Sequence, residues 1–341
     1  MKPVSRRNSR ILAELGLSLT RQRPNPIIGS SIVSQACTRR QMLDSSFIRG
    51  VIPALVTPMN DDESLSRDGM KRLIDGVIEA GVHGVFTCGT AGEFWAMDID
   101  EKRAAYEWTV EFTDGRVPVY VGTSANSTAE AVDLAKIAET AGAQCLSILT
   151  PAFITPSDDQ MFAHYAEIAD ATALPILLYN LPARTGNALR LDVIERLHRR
   201  FPHIVGVKDS SGNFEQALTF LRELPDTFRM VMGRDTLILS ALQEGAAAAI
   251  AASANVAPDI ASGIYDAYVD GDQARARDLQ DKLVPLRDAF TLGTHPAMLK
   301  AGADLVGLAG GPPRRPVSRL NDEQMAKLKK ILEAIGKPVV A

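Results

Sequence analysis

Cysteine and histidine are scarce in this chain of 341 residues, which has three cysteines and five histidines. The cysteines Cys37, Cys88 and Cys145 form no CxxC pair, and the isolated histidines form neither a metal set nor a triad. An odd, sparse set of cysteines is typical of a reducing compartment without structural disulfides. Cys88 and Cys145 fall in apolar runs, where we expect small core residues. We therefore predict no metal site.

The sequence also lacks a phosphate-binding P-loop and a dinucleotide-binding glycine fingerprint. It has no apolar stretch of the kind that spans a membrane. Its formal net charge of -4 conceals an asymmetry, because residues 1–43 carry +7 and the rest of the chain carries −11. An acidic body is a poor match for nucleic-acid phosphates. We predict a protein that binds neither nucleic acid nor a membrane.

The basic segment is rich in arginine and serine, and Glu14 is its only acid. This composition is that of a transit peptide, and Ser5-Arg6-Arg7 is similar to a twin-arginine signal. Glu14 interrupts the apolar run that follows, however, and no small-residue cleavage site stands out. We favour a disordered tail, or an upstream start with Met42 as the natural first residue, and exclude residues 1–48 from the fold. The expected location is the cytoplasm, with organellar import as the alternative.

From residue 50 onward, short apolar runs alternate with amphipathic stretches. The runs are apolar almost throughout, as expected for parallel strands that are covered on both faces. The stretches between them have helical period, as over 70–78. Eight predicted strands follow one another at the spacing of βα units: 51–57, 84–88, 118–122, 145–149, 175–179, 204–208, 228–232 and 247–252.

Eight βα units in series predict an α/β fold of the (β/α)₈ TIM-barrel type. A doubly wound sheet is the alternative, because periodicity cannot show closure. We place the barrel at 49–257 and a C-terminal helical extension, which begins with the last barrel helix, at 258–341. Predicted helices of this extension are 258–270, 273–291, 295–305 and 322–335.

A barrel enzyme carries its site at the carboxyl ends of its strands. Lys208 ends the sixth run and Tyr179 ends the fifth, so we expect the two to be neighbours. A buried lysine has a lowered pKa, and its neutral amine can attack a ketone and form a Schiff base. The alternative is a lysine that extends to solvent. The Tyr179 phenol can relay protons, or it packs at the rim of the barrel.

Two loops at the same edge are suited to a carboxylate. The loop Gly89–Gly92 offers backbone N–H groups and the Thr90 hydroxyl, although glycine is common in any such turn. Arg184 follows the fifth run, and its guanidinium can hold a carboxylate through two hydrogen bonds. An exposed surface charge is the alternative for Arg184.

Six fragments stand at strand ends in a fixed order: GTAGE (89–93), GTSAN (122–126), LTP (149–151), YNLPARTG (179–186), GVKDSSG (206–212) and SANVAP (253–258). Each is modest alone, but the order and the positions are specific. From about residue 49 to the C-terminus the chain resembles the dihydrodipicolinate synthase / N-acetylneuraminate lyase family of class I aldolases.

The resemblance implies a role for several of these residues. Lys208 matches the lysine that forms an imine with the ketone of pyruvate, and Tyr179 matches the tyrosine that relays protons to and from it. Thr90 matches the hydroxyl that bonds this tyrosine, and with the backbone amide of Ala91 it holds the pyruvate carboxylate. Ile250 matches a residue whose backbone lies against pyruvate. The imine is the electron sink, so the chemistry needs no metal and no other cofactor.

The sequence departs from the family pattern at several positions, and two of these departures remove a hydroxyl. Ala91 replaces a second hydroxyl residue of the glycine loop. Phe153 aligns with a second relay tyrosine, which the synthases contribute across a subunit interface, and it cannot pass a proton. GVKDSSG favours the sugar-acid aldolase branch, whereas Arg184 favours the synthases, which use an arginine there for the carboxylate of the aldehyde.

We therefore expect a Schiff-base lyase or aldolase that forms or breaks a C–C bond between pyruvate and an aldehyde, or that dehydrates or cleaves a 2-keto-3-deoxy acid. One alternative is the synthase of lysine biosynthesis, 4-hydroxy-tetrahydrodipicolinate synthase, which condenses pyruvate with aspartate semialdehyde. Another is a non-catalytic homologue that binds a keto acid. Family members are commonly dimers of dimers, so the resemblance implies a homotetramer.

Overall fold

The computed structural model describes residues 44–340, and the predictions for the basic segment before residue 44 lie outside them. Within this range the chain forms eight strands that are all parallel to their neighbours. The first is shorter than predicted, because regular strand pairing ends at Pro53. The strands are β1 (Gly50–Pro53), β2 (Val85–Thr87), β3 (Val119–Gly122), β4 (Cys145–Leu149), β5 (Ile176–Asn180), β6 (Ile204–Asp209), β7 (Arg229–Met232) and β8 (Ala248–Ala251).

The strand order is that of a barrel, since each strand from β2 to β8 pairs with the next and β8 pairs with β1. Between β1 and β2 the ring is completed by a single bridge, Ala54 to Phe86, in which the Leu55 N–H donates to the Phe86 carbonyl at 2.8 Å. The predicted (β/α)₈ barrel is confirmed. The doubly wound alternative is wrong, because the first and last strands of a doubly wound sheet are not neighbours, whereas β1 and β8 pair here.

Amphipathic helices separate the strands, and several begin at polar caps. Ser157, for example, accepts a hydrogen bond from the backbone N–H of Gln160, whose side chain bonds back to the Ser157 N–H. The helices between strands are α1 (Arg67–Glu79), α2 (Ile99–Thr113), α3 (Thr128–Ala141), α4 (Asp158–Asp170), α5 (Pro182–Thr185), α6 (Leu191–Arg200), α7 (Phe214–Glu223) and α8 (Ile238–Gln243).

After β8 the described chain is helical, as predicted. The helices are α9 (Pro258–Val269), α10 (Gln273–Asp288), α11 (Ala297–Leu305) and α12 (Asp322–Ala334). Among residues 44–340, no helix combines the length and the apolar character that crossing a bilayer requires.

Close backbone packing fixes the strand that carries Lys208. A Cβ atom added to Gly206 would lie 2.2 Å from the carbonyl oxygen of Arg229 on β7 and 2.7 Å from the Leu177 side chain on β5. Any larger residue would push β6 away from one of these neighbours. The glycine therefore sets the position of the strand end two residues further on.

Candidate active site

A cavity of about 430 Å³ opens at the carboxyl ends of the strands. The six site residues predicted from the sequence all line it, although they come from four different strand ends or loops. They are Thr90, Ala91, Tyr179, Arg184, Lys208 and Ile250.

Lys208 and Tyr179 lie side by side in the cavity. They are register partners on β6 and β5, as the order of the strands predicts. The Lys208 ammonium nitrogen lies 3.9 Å from the centroid of the Tyr179 ring and 4.7 Å from that of Phe86. Lys208 is only 3% exposed, so its side chain does not extend to solvent.

Burial and mutual contact shift the acid–base behaviour of this pair. Burial lowers the pKa of the Lys208 ammonium, and the neighbouring Tyr179 and Asp235 offset only part of the effect. Burial opposes ionisation of Tyr179 as well. The Lys208 charge and the hydroxyls of Thr90 and Ser210 outweigh it, so the pKa of Tyr179 is lowered. The arrangement therefore favours a neutral, nucleophilic amine beside a phenol that can exchange a proton.

The glycine loop after β2 forms one wall beside this pair. The Thr57 hydroxyl donates to the Gly92 carbonyl at 2.7 Å and holds the loop against the chain after β1. The Thr90 hydroxyl lies close enough to Tyr179 to influence its pKa. Its oxygen is buried and makes no hydrogen bond of ordinary geometry with any residue between 44 and 340.

Arg184 and Ile250 are the remaining two predicted site residues, and they differ in their exposure to solvent. Arg184 stands in the last turn of α5, where its side chain is exposed at the cavity rim. Ile250 is buried on β8, in register with Ile52 of β1, and borders the cavity floor.

The C-terminal extension supplies a wall that the strand-end rule does not predict. Arg287 from α10 and the segment that follows it line the cavity through Phe290, Thr291 and His295. Burial, together with the nearby Arg184, Arg287 and Lys208, lowers the pKa of His295 to about 4. His295 is isolated in sequence, and nothing in the spacing of the histidines indicates that it reaches this cavity.

The same extension also anchors the glycine loop. Glu93, directly after Gly92, forms a fully buried ion pair with Lys300 of α11. The residues that would hold a carboxylate therefore sit on a loop that is fixed from both sides.

Two further observations concern Phe153 and the side chains that can ligate metals. Phe153 lies outside the cavity lining and is 98% exposed, with a left-handed φ of 73°. Within residues 44–340, no three His, Cys, Asp or Glu side chains cluster in a way that could hold a metal ion.

A parallel eight-stranded barrel with a buried lysine beside a tyrosine at its strand ends defines an aldolase-type lyase of the Schiff-base class. A family model described as the dihydrodipicolinate synthetase family matches residues 47–335, and the chain belongs to this family.

Two curated relatives carry the same name. The chain is 39% identical over 290 residues to the 4-hydroxy-tetrahydrodipicolinate synthase of Methanopyrus kandleri, covering 85% of this chain and 97% of the relative. It is 36% identical over 289 residues to the protein of the same name from Neisseria gonorrhoeae, covering 85% and 99%.

Solved structures agree with the fold. YagE, a prophage protein of the dihydrodipicolinic acid synthase family from E. coli K12 in complex with pyruvate, is 29% identical with a TM-score of 0.82, covering 85% of this chain and 99% of that one. The 4-hydroxy-tetrahydrodipicolinate synthase of Methylacidiphilum fumariolicum SolV is 31% identical with a TM-score of 0.81, covering 84% and 95%.

Proposed function

We propose that the protein is a pyruvate-dependent class I aldolase in which Lys208 forms the imine. The observation that carries the proposal is the buried Lys208 amine, 3.9 Å from the Tyr179 ring centroid in a cavity that Thr90 and Ala91 also line. Burial keeps the amine neutral at lower pH than a surface lysine, which is the state that attacks a ketone.

In the proposed reaction the Lys208 amine adds to C2 of pyruvate, and the hydroxyl of the adduct takes a proton from solvent and leaves as water, which forms a protonated imine. Tyr179, as its phenolate, takes a proton from C3, and the electron pair moves into the protonated imine to give a neutral enamine. C3 then attacks the aldehyde carbon, the aldehyde oxygen takes up the proton from the Tyr179 phenol, and a protonated imine and the phenolate form again. Water hydrolyses this imine, releases a 4-hydroxy-2-keto acid, returns a proton to solvent and restores the amine. Cleavage of a 2-keto-3-deoxy acid is the reverse of this sequence.

The carboxylate of pyruvate fits the glycine loop in this proposal. The Thr90 hydroxyl and the Ala91 backbone N–H can both donate to it, and Ile250 lines the same cavity. Arg184 at the rim faces the space left for the aldehyde, where it can hold an acidic group.

Reductive trapping tests the proposal directly. Borohydride added to the enzyme with pyruvate should leave a reduced pyruvyl group on Lys208, located by peptide mass mapping. Lys102 and Lys300 are also buried and serve as internal controls that should stay unmodified. Wild-type enzyme that carries no adduct, or carries it on another lysine, would contradict the proposal and favour a keto-acid-binding homologue without catalysis.

The 4-hydroxy-tetrahydrodipicolinate synthase activity is the second candidate. The name that the two curated relatives above share and the rim position of Arg184 support it. The cavity of one protomer, however, receives no hydroxyl from position 153, where the chain has Phe153. We expect cleavage of 2-keto-3-deoxy acids to be faster than condensation of pyruvate with aspartate semialdehyde. A faster condensation would assign the synthase activity instead.

We further propose a homotetramer that works in the cytoplasm with pyruvate and an aldehyde as its small-molecule partners. Support for assembly comes from the adjacent Phe153 and Ile154, which are 98% and 53% exposed in the single chain. Support for a reducing compartment comes from Cys88 and Cys145, which are both free. Sedimentation of the purified protein and fractionation of cells test these two points.

A further inference from the structure

Three guanidinium groups surround the outer part of the cavity. Arg184 follows β5, Arg234 follows β7, and Arg287 comes from α10. Within 44–340 the contacts of these side chains are an ion pair of Arg287 with Asp235 at 3.6 Å and the packing of its guanidinium over the Phe290 ring, and none of the three donates a hydrogen bond of ordinary geometry, although each carries five N–H donors. Unused donors at a cavity surface are available to a ligand.

The carboxylate that lines the cavity is already engaged by neighbouring groups of the protein. Asp235 is the one carboxylate among the described residues that line it. Its Oδ1 accepts hydrogen bonds from the backbone N–H and the hydroxyl of Ser253, at 2.8 Å and 2.5 Å. Its Oδ2 lies 3.6 Å from Arg287, a distance too long for a good hydrogen bond. Arg287 is therefore held near the cavity by a charge that does not use up its donors.

The local geometry keeps Arg234 at the mouth of the barrel. A Cβ atom added to Gly233 would lie 1.9 Å from the Ser210 hydroxyl, so the loops after β6 and β7 pack tightly there. The Arg234 guanidinium lies beside Gly212, across the loop that follows Lys208.

The positive charges at the cavity affect the titration of a histidine that lines it. Burial is the largest cause of the low pKa of His295, and the charges of Arg184, Arg287 and Lys208 lower it further. A positive potential thus reaches the cavity of a chain whose residues after 43 carry a net charge of −11.

We propose that Arg234 and Arg287, together with Arg184, bind a second acidic group at the far end of the substrate. This inference rests on the proposed function, in which the first acidic group is the carboxylate beside the Lys208 imine. The substrate class is then a 2-keto-3-deoxy acid that ends in a carboxylate or a phosphate. An amino aldehyde fits less well, because its ammonium group would meet three guanidinium groups and only the engaged Asp235.

Three matched acids test the inference. 2-Keto-3-deoxygluconate ends in a hydroxymethyl group, its 6-phosphate ends in a phosphate, and 2-keto-3-deoxyglucarate ends in a carboxylate. We expect kcat/KM for pyruvate release to be about 10- to 100-fold higher for at least one acidic-ended substrate, the range of one or two charge-assisted hydrogen bonds. The two acidic arms separate carboxylate from phosphate.

Substitution of the arginines tests whether they cause the preference for an acidic-ended substrate. In Arg234→Gln and in Arg287→Gln the ratio of kcat/KM between the preferred acidic substrate and the gluconate should fall about tenfold or more, whereas Arg287→Lys, which keeps the charge, should lose less. Arg277→Gln is the control, because Arg277 is an exposed arginine of the same helix that does not line the cavity.

Trapping of pyruvate on the wild-type enzyme separates the two proposals. If Lys208 carries no adduct, the proposed function itself fails. If Lys208 traps pyruvate but the hydroxymethyl substrate is cleaved as well as the acidic ones, or none of the three is cleaved, the inference about the arginines is wrong. Retention of the wild-type ratio in Arg234→Gln and Arg287→Gln would also overturn it.

Discussion

The Lys300 ammonium nitrogen lies 2.6 Å from Oε1 of Glu93, and neither side chain is exposed to solvent. Glu93 follows the glycine loop with a left-handed φ of 58°, and its Oε2 accepts a hydrogen bond from the Arg314 backbone N–H at 2.8 Å. One carboxylate thus joins the loop that carries Thr90 and Ala91 to two parts of the C-terminal extension.

Removing one partner of this pair should be costly. Lys300→Met leaves the Glu93 charge buried without its cation, and we expect the free energy of unfolding to fall by about 3–5 kcal/mol. Urea titration followed by circular dichroism measures the change. The double variant Glu93→Gln/Lys300→Met removes both charges and should recover part of the loss. Equal destabilisation of the single and double variants would show that packing, and not the unpaired charge, sets the cost.

Tyr179→Phe should separate proton transfer from imine formation. The variant keeps the ring that packs beside Lys208 but removes the hydroxyl, so we expect kcat to fall by about 10²- to 10⁴-fold. Pyruvate should still be trapped on Lys208. Tyr165→Phe is the control, because Tyr165 is buried outside the cavity and donates to the Ile148 carbonyl at 3.1 Å. A similar loss of kcat in both variants would argue against a proton relay at Tyr179.

The stability of the protein should depend on His164 below neutral pH. Burial lowers the pKa of His164 from 6.5 to about 4, and its Nδ1 lies 2.9 Å from the Thr128 hydroxyl. The unfolded chain therefore binds a proton at higher pH than the native state does, and the free energy of unfolding falls as the pH drops from 6.5 towards 4. The contribution of His164 over this window is about 3 kcal/mol.

The variant His164→Asn keeps an acceptor for Thr128 and removes the titration. Chemical unfolding of both proteins at pH 7 and at pH 4.5 checks the prediction, and the variant should lose less stability than the wild type between the two. His295→Asn, measured in parallel, accounts for the other histidine whose pKa is lowered to about 4. Identical pH dependence in the wild type and His164→Asn would contradict the assignment.

Phe153 should matter to assembly. An aromatic residue with a left-handed φ is unusual, and no contact within the described chain covers this ring. We expect Phe153→Asp to dissociate the proposed tetramer into smaller species, because a charge would be buried at the interface. Analytical ultracentrifugation over a range of concentrations measures this. Phe153→Tyr keeps the ring and should stay assembled, and unchanged assembly of Phe153→Asp would place the interface elsewhere.

The barrel was predictable from sequence because each parallel strand is buried on both faces and leaves an apolar run. Its closure was not, since regular strand pairing between β1 and β2 is replaced by the isolated Ala54 and Phe86 bridge, which has no signature in either run. Lys208 and Tyr179 were found because the strand-end rule converts sequence order into proximity.

The strand-end rule did not predict that Arg287 and His295 line the cavity. They follow the last strand, and their position at the cavity depends on how the C-terminal helices return over the mouth of the barrel. That path is set by tertiary contacts such as the Glu93 and Lys300 pair, whose members are 207 residues apart in sequence. The hydrophobic periodicity around Glu93 or around Lys300 does not indicate that the two residues meet.

The wall of the cavity comes from two stretches of the chain, the strand ends of the barrel and the C-terminal extension, and this division determines what a substitution in either stretch can change. In the proposed mechanism the imine forms at the strand ends of the barrel, whereas Arg287 and His295 lie on a segment outside the strand ladder. Substitutions in that segment can change the part of substrate binding that Arg287 supplies while Lys208 and Tyr179 stay in place. Arg184 and Arg234 remain on loops of the barrel, so in this proposal both stretches of the chain contribute to selectivity and only one of them contributes the imine chemistry.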